Sequence, residues 1–184
     1  MKKEFIKLSA VLCVITLIAG IVLAGVNKIT APAIAKAEIK ATEKAMKTLL
    51  PEADSFEASV TDANLTIAKK DGSVVGFCAK VISSGYGGDI VMMVGVDENM
   101  YVQGIEILSH SETAGLGAKI AEKDFKKQFK DKTLVELKVV KKDTNAPGEF
   151  KAVTGATISS RAVEKGIAMA KNMVEKELEE GAQK

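Results

Sequence analysis

The chain has 184 residues, enough for one ordinary domain with a short appendage. Its formal net charge is +2, with 26 basic and 24 acidic residues, so it lacks the positive excess that binding to a phosphate backbone requires, and we expect no nucleic-acid partner. It contains no Trp, two Tyr and one His, which excludes an aromatic stacking platform and a multi-histidine metal site made by this chain alone. We therefore expect that a bound cofactor supplies any chemistry that the protein performs, and we assign neither a metal site nor a catalytic side chain.

The N-terminal segment predicts a transmembrane helix. Residues 8–26 carry no charge, and a helix of this length rises about 28 Å at ~1.5 Å per residue, close to the thickness of the bilayer core. A cleaved signal peptide is the alternative, because three lysines precede the run, but the apolar part of such a peptide is typically about 7 to 15 residues long. We predict a single-pass anchor in the cell membrane, with residues 1–7 in the cytoplasm and the long domain outside it, since positive charges flank the span almost equally and short N-termini typically stay cytoplasmic.

Residues 27–50 predict a helical connector out of the membrane. Pro32 is the last helix breaker before Pro51, and the Lys/Glu/Ala-rich stretch between the two prolines reads as a helix that Pro51 closes. The remaining residues, 51–184, form the predicted extracytoplasmic domain.

The first part of this domain predicts an antiparallel meander. Strands are expected at 65–68, 74–82, 90–96 and 101–108, with turns at Asp71-Gly72 and at 97–99. The second half of 112–129 reads as helical, and 134–140 is a further strand candidate. A last helix should begin near Thr157 and run to about Glu180. Its predicted apolar stripe consists of Val163, Ile167, Ala170, Val174 and Leu178.

A hydroxyl-rich turn stands at the start of this last helix: Thr154-Gly155-Ala156-Thr157-Ile158-Ser159-Ser160. The glycine permits close backbone approach, and the free N–H groups and macrodipole of a helix N-terminus favour an anion such as phosphate. The alternative is a hydroxyl-capped helix without a ligand, because no P-loop lysine or dinucleotide-binding glycine spacing accompanies the turn.

The segment TGATISSRAVEKGI is similar to the flavinylation motif, Ser/Thr-Gly-Ala-Thr, of FMN-binding domains. In that family a dedicated flavin transferase esterifies the FMN phosphate to the last threonine of the motif, which here is Thr157. The resemblance therefore implies covalent FMN on Thr157. It also implies that the cofactor is contacted by Thr154, Gly155, Ala156, Ser159 and Ser160.

Further segments strengthen this resemblance. Residues 84–90 (SGYGGDI), Gly104-Ile105 and 110–117 (HSETAGLG) resemble, in order and spacing, the "GYGG … H-ETPGLG" pattern of the G subunit family of Rnf-type ion-translocating ferredoxin:NAD oxidoreductases. The chain departs from the family pattern at three positions. These are Lys151 in place of the usual Asp, and Ala114 and Asp89 in place of Pro.

The resemblance implies two more walls of a flavin site. One consists of Gly115, Leu116 and Gly117, with Glu112 and Thr113 as hydrogen-bonding residues. The other consists of Tyr86, Gly87 and Gly88. For both glycine-rich loops the alternative is a role in the fold alone.

The family resemblance implies an α+β fold in which the transmembrane helix precedes an antiparallel-sheet FMN-binding domain flanked by helices. It implies an electron-transfer subunit whose partners are other membrane subunits of the complex and, during maturation, the flavin transferase. Two alternatives remain: a C-subunit-like component of the sodium-translocating NADH:quinone reductase, and a non-redox adaptor anchored in the membrane.

Overall fold

The structure is a computed structural model that describes residues 2–134, 137–144 and 146–181. The chain divides into two compact units, Met1–Ala41 and Thr42–Lys184, and their boundary falls inside the first helix. The helices are α1 (Lys2–Leu49), α2 (Lys123–Lys126) and α3 (Thr157–Gly181), with short 3₁₀ helices at Gly117–Ala121 and Lys127–Phe129. The strands are β1 (Ser55–Ala58), β2 (Leu65–Lys70), β3 (Ser73–Ser84), β4 (Asp89–Asp97), β5 (Tyr101–Ser109), β6 (Lys132–Thr133), β7 (Lys138–Val140) and β8 (Glu149–Lys151).

The first unit consists of the apolar part of α1. Its large apolar side chains from Leu8 to Val26 are each more than half exposed, so no other part of this unit covers them. An 18-residue window of this helix reaches a mean hydropathy of 2.6. Within the described part of the chain, α1 is the one helix whose length and composition suit a membrane crossing.

Pro32 does not separate two helices, which corrects the expected break between span and connector. It lies inside the continuous helix α1. A proline in a helix interior removes one hydrogen bond and costs about 3 kcal/mol. Alanine, the strongest helix former, stands at position 31 and at positions 33, 35 and 37, so the turn that follows the proline in particular favours helix. The predicted stop before Pro51 is confirmed, since α1 ends at Leu49.

The second unit is built on a six-stranded antiparallel sheet in which β1 to β6 follow one another in chain order. The predicted meander of β2 to β5 is confirmed, because each of these strands pairs antiparallel with the next one along the chain. Asp71 and Gly72 both have positive φ, 51° and 81°, as a two-residue hairpin turn between right-twisted strands requires.

Helix α3 covers one face of this sheet, where the main core lies. Its residues Val163, Ile167, Ala170 and Val174 are buried, as predicted, and pack in one cluster with strand residues such as Val81, Met92 and Val94. Leu178 is 42% exposed, so the buried stripe ends at Val174. Together the helix and the antiparallel sheet confirm the predicted α+β class.

The opposite face of the sheet is covered by the end of α1. Ala45, Leu49 and Leu50 are buried there in a cluster with Ala68, Cys78 and Met93. The last turns of α1 therefore belong to the hydrophobic core of the second unit.

Several elements differ from the sequence expectation. Within 112–129, a 3₁₀ helix at 117–121 is separated from the helical stretch 123–129 by Glu122, which adopts an extended conformation (φ −74°, ψ 149°). Of the strand expected at 134–140, only 138–140 is a strand among the described residues, and 135 and 136 lie outside them. The sequence does not predict β1 and β6, which have only four and two residues.

Candidate functional site

A cavity of about 460 Å³ opens beside the N-terminus of α3. Three segments that are distant in sequence form its walls: the loop after β3, the loop after β5 and the first turn of α3. The lining residues are Tyr86, Glu112, Thr113, Leu116, Gly117, Gly155, Ala156, Thr157, Ile158 and Ser159. Every one of them except Ile158 is among the cofactor-contacting residues that the sequence predicts.

Glu112 joins the three walls through its carboxylate. Its Oε1 accepts hydrogen bonds from the backbone N–H groups of Tyr86 (2.8 Å) and Gly87 (3.2 Å), and its Oε2 accepts one from the Ser159 hydroxyl (2.7 Å). Burial raises the pKa of this carboxyl, but hydrogen bonds from Ser159, Gly87 and Tyr86 outweigh it, so its pKa lies below the usual value. The backbone N–H of Glu112 donates to His110 Nδ1 at 3.2 Å. An ionised, buried carboxylate therefore stands in the cavity wall.

Glycines surround this carboxylate because a side chain in their place would overlap it or its neighbours. A Cβ at Gly85 or at Gly117 would collide with the Glu112 carboxylate. A Cβ at Gly87 would collide with the carbonyl of Ser111. The glycines at 85, 87 and 117 thus permit close packing of the protein against itself.

The first turn of α3 carries Thr157 at the edge of the cavity. Thr157 is the first residue of the helix and is partly exposed. The N–H groups of a first helical turn have no partner within the helix. The Ser160 hydroxyl is already used inside the turn, since it donates to the Ala156 carbonyl and accepts from the Val153 N–H, both at 3.0 Å. Thr157 thus offers a nucleophilic oxygen where an anion is favoured.

An apolar rim surrounds the cavity mouth and consists of Tyr86, Leu116 and Ile158, which are 73%, 48% and 53% exposed. Leu116 lies over the Thr154–Thr157 turn, because a Cβ at Gly155 (φ +80°) would stand 3.3 Å from its Cδ2. Ile158 was not predicted as a site residue. The sequence does contain a sign of its role. Ile158 and the buried Ile167 are nine positions apart, which is two and a half turns at 3.6 residues per turn. Ile158 is therefore an apolar residue on the solvent face of α3, opposite the buried stripe.

Five predicted contact residues lie outside the cavity lining. Gly87 and Gly88 pack against Ser111, Ser160 is buried in the α3 turn, and Thr154 is exposed on the other side of that turn. Gly115 has φ +76°, and a Cβ there would have no atom within 4 Å, so the loop requires a left-handed conformation at this position and leaves open space beside it.

Lys151, where the family pattern has an acidic residue, lies in β8. Its ammonium pairs with Asp143 at 2.7 Å. Its backbone N–H donates to Oε1 of Gln128, and its backbone carbonyl accepts a hydrogen bond from Nε2 of the same side chain. It lines a separate cavity of about 260 Å³ that also contacts Thr154. Lys151 is therefore a neighbour of the turn and lies outside the lining of the larger cavity.

A second cavity of about 480 Å³ lies between the end of α1 and the β4–β5 turn. Its acidic residues include Glu52, Asp97 and Glu98. Asp97 is committed to the turn, because its carboxylate accepts hydrogen bonds from the backbone of Asn99 and Tyr101 and from the Gln103 amide. None of the predicted site residues lines this cavity.

Comparison with known proteins assigns the chain to a family. The FMN-binding domain family matches residues 85–172. The chain is 37% identical over 150 residues to the G subunit of the proton-translocating ferredoxin:NAD(+) oxidoreductase complex of Clostridium ljungdahlii, covering 82% of this chain and 80% of that protein. It is 34% identical over 187 residues to the G subunit of the Na(+)-translocating ferredoxin:NAD(+) oxidoreductase complex of Acetobacterium woodii, covering 91% and 90%.

A solved structure shares the fold. The crystal structure of NqrC from Shewanella oneidensis superposes with a TM-score of 0.50 over 64% of each chain, at 18% identity, which bears on the fold alone. The family follows from the sequence relatives, since each alignment covers four fifths or more of both proteins. The chain belongs to the family of G subunits of ion-translocating ferredoxin:NAD(+) oxidoreductase complexes.

Proposed function

We propose that this chain is an electron-transfer subunit of a membrane-bound, ion-translocating ferredoxin:NAD oxidoreductase and that it carries FMN bound covalently through a phosphoester to Thr157. The observation that carries the proposal is the position of Thr157, at the edge of a cavity of about 460 Å³ and at the first residue of α3. The match to the FMN-binding domain family and the G subunit relatives support the same cofactor and role.

The residues present fit a flavin nucleotide. The N-terminus of α3 suits the phosphate, because its N–H groups and the helix dipole both favour an anion next to Thr157. The apolar rim of Tyr86, Leu116 and Ile158 suits a flat aromatic ring system. When bound, FMN supplies reversible uptake and release of electrons, so the protein's part is attachment, position and electrostatics. No side chain needs a catalytic role.

We further propose that α1 is a retained single-pass anchor with the N-terminus in the cytoplasm and the flavin domain outside the cell membrane. The apolar exposed surface of residues 8–26 supports the anchor. The partners are then other membrane subunits of the complex and a flavin transferase that acts during maturation. Protease added to intact spheroplasts should digest the domain. If the domain is protected until the membrane is broken, the domain lies in the cytoplasm and the proposed orientation is wrong.

The two alternatives predict different observations. A sodium-translocating NADH:quinone reductase C-like component is disfavoured, since the G subunit relatives match this chain over most of their length. An adaptor whose Thr/Ser turn only caps a helix would carry no flavin. Flavin fluorescence of the purified chain in a denaturing gel separates the adaptor from the proposed electron carrier.

The attachment is tested by the mass of the intact chain after expression with a flavin transferase. The wild type should carry one FMN, and Thr157→Ala should insert into the membrane without added mass. Thr113→Ala is the matched control, because this exposed threonine lines the same cavity but lies outside the Ser/Thr-Gly-Ala-Thr motif. It should keep the covalent FMN. Added mass in the Thr157→Ala chain, or its loss only in the Thr113→Ala chain, would place the bond elsewhere.

A further inference from the structure

Glu112 places an ionised carboxylate, held by hydrogen bonds, at a fixed position in the cavity wall. Glu112 is only 8% exposed, yet it accepts three hydrogen bonds that reach both of its oxygens. Two of the donors are backbone N–H groups, which cannot accept a hydrogen bond from a protonated carboxyl, so the ionised form matches this environment best. Among the described residues, none of the ion pairs includes Glu112. Its charge is stabilised by dipoles and is not cancelled by a paired cation.

The same contacts hold the site in shape. The bonds to Tyr86 and Gly87 fix the tight turn that Gly85 and Gly88 close with a 2.8 Å backbone hydrogen bond. The bond to Ser159 ties this turn to the first turn of α3. One side chain therefore determines how far the Tyr86 wall stands from Thr157.

We propose that Glu112 is a positioning residue of the flavin site whose fixed negative charge also keeps the midpoint potential of the bound FMN low. The inference rests on the proposed attachment of FMN to Thr157. Reduction adds negative charge to the ring system, and a negative, largely buried carboxylate in the wall of the same cavity opposes that addition. The lowering of the midpoint potential depends on the charge of Glu112, whereas the position of the Tyr86 wall depends on the hydrogen bonds that Glu112 accepts.

Substitution can separate these two contributions. Glu112→Gln removes the charge but keeps an acceptor oxygen for the Tyr86 and Gly87 N–H groups and a group that can bond Ser159. Glu112→Ala removes both the charge and the hydrogen bonds. Glu106→Gln is the matched control, because Glu106 is partly buried and paired with Lys126 at 2.6 Å but lies outside the cavity lining.

The decisive experiment is a spectroelectrochemical titration of the full-length, detergent-solubilised chain after its FMN content has been measured by mass. Glu112→Gln should keep its FMN and shift the midpoint potential to a more positive value, and Glu106→Gln should leave the potential at the wild-type value. An unchanged potential in Glu112→Gln, or an equal shift in both variants, would overturn the inference while leaving the attachment to Thr157 intact. Absence of FMN from the wild-type chain would overturn the proposed function and this inference with it.

A second measurement needs no flavin. In chains expressed without the transferase, amide hydrogen exchange over residues 84–88 should be faster in Glu112→Ala than in wild type and close to wild type in Glu112→Gln. Exchange that is the same in all three chains would show that the carboxylate does not hold the Tyr86 wall. If Glu112→Ala does not fold, loss of the fold supports the positioning role, and the Glu112→Gln titration still decides the role of the charge.

Discussion

A Cβ atom at position 117 would overlap Oε2 of Glu112 and would lie 2.8 Å from the Ser159 hydroxyl oxygen, so glycine at 117 is what lets the carboxylate occupy the cavity wall. Gly117→Ala should therefore lower the free energy of unfolding by about 1–3 kcal/mol, the usual cost of overpacking. Denaturant unfolding followed by circular dichroism measures it. In a Glu112→Ala background, Gly117→Ala should lower the free energy of unfolding by less, because the carboxylate that would overlap the new Cβ is absent.

The neighbouring Gly115→Ala is the control for this cycle. Position 115 has open space but a φ of +76°, so alanine should cost about 1–2 kcal/mol through backbone strain alone, whether or not Glu112 is present. Equal costs for Gly117→Ala in both backgrounds would mean that the crowding at 117 does not involve the carboxylate.

Glu112 makes stability depend on pH in a defined direction. Burial raises its pKa, but the hydrogen bonds from Ser159, Gly87 and Tyr86 outweigh burial, so its pKa is lower in the folded domain than in the unfolded chain. Its contribution is therefore fully present above the unfolded glutamate pKa of about 4.3 and is lost as pH falls through the lower folded value. The stability difference between wild type and Glu112→Gln should shrink as pH is lowered from about 7 to about 3. A difference that grows on acidification would contradict the ionised assignment.

Leu49 should contribute to the stability of the sheet although it lies in the long N-terminal helix. It is 5% exposed and packs in the cluster with Ala68, Cys78 and Met93. Leu49→Ala should lower the free energy of unfolding by about 2–5 kcal/mol, as for other buried leucines. Lys47→Ala, on an exposed position of the same helix, should change it little. Equal effects of the two substitutions would argue against this packing.

Cys78 should resist thiol reagents in the folded domain. Burial raises the pKa of its thiol to about 12, so the reactive thiolate is scarce near neutral pH. In a Cys13→Ser chain, maleimide labelling should be slow in native buffer and complete in denaturant, as intact mass shows. Rapid labelling of the native protein would mean that the face of the sheet covered by α1 opens readily.

The fold was largely predictable where an element is long enough for its composition or its side-chain periodicity to show. Strands β2 to β5 follow from runs of β-favouring residues bounded by turn residues, and helix α3 follows from the stripe at 163, 167, 170 and 174. The edge strands β1 and β6 are too short for a period to show. The helix break expected at Pro32 was wrong, because the alanine-rich stretch that follows the proline has a high helix propensity and the helix continues through it.

The sequence predicted which residues line the cavity, with the exception of Ile158, but it did not predict which of them bond to one another. The hydroxyl-rich turn and the glycine-rich loops identify the segments that meet. The bond from Ser159 to Glu112 joins residues 47 positions apart, and no local pattern encodes such a partner. The sequence alone left two roles open for the glycine-rich loops, contact with a ligand or a role in the fold, and the structure shows that the glycines at 85, 87 and 117 are packed against protein atoms.

The three-segment construction of the cavity has a consequence for biosynthesis. The chain is made from its N-terminus, and the turn of residues 85–88 and the loop around Glu112 precede the α3 residues Thr157 and Ser159. Neither the Thr157 hydroxyl, where we propose that FMN is attached, nor the Ser159 hydroxyl that bonds Glu112 exists until the last helix has been synthesised. A chain truncated before α3 contains all eight described strands but lacks one wall of the cavity, so only a completed domain can present it.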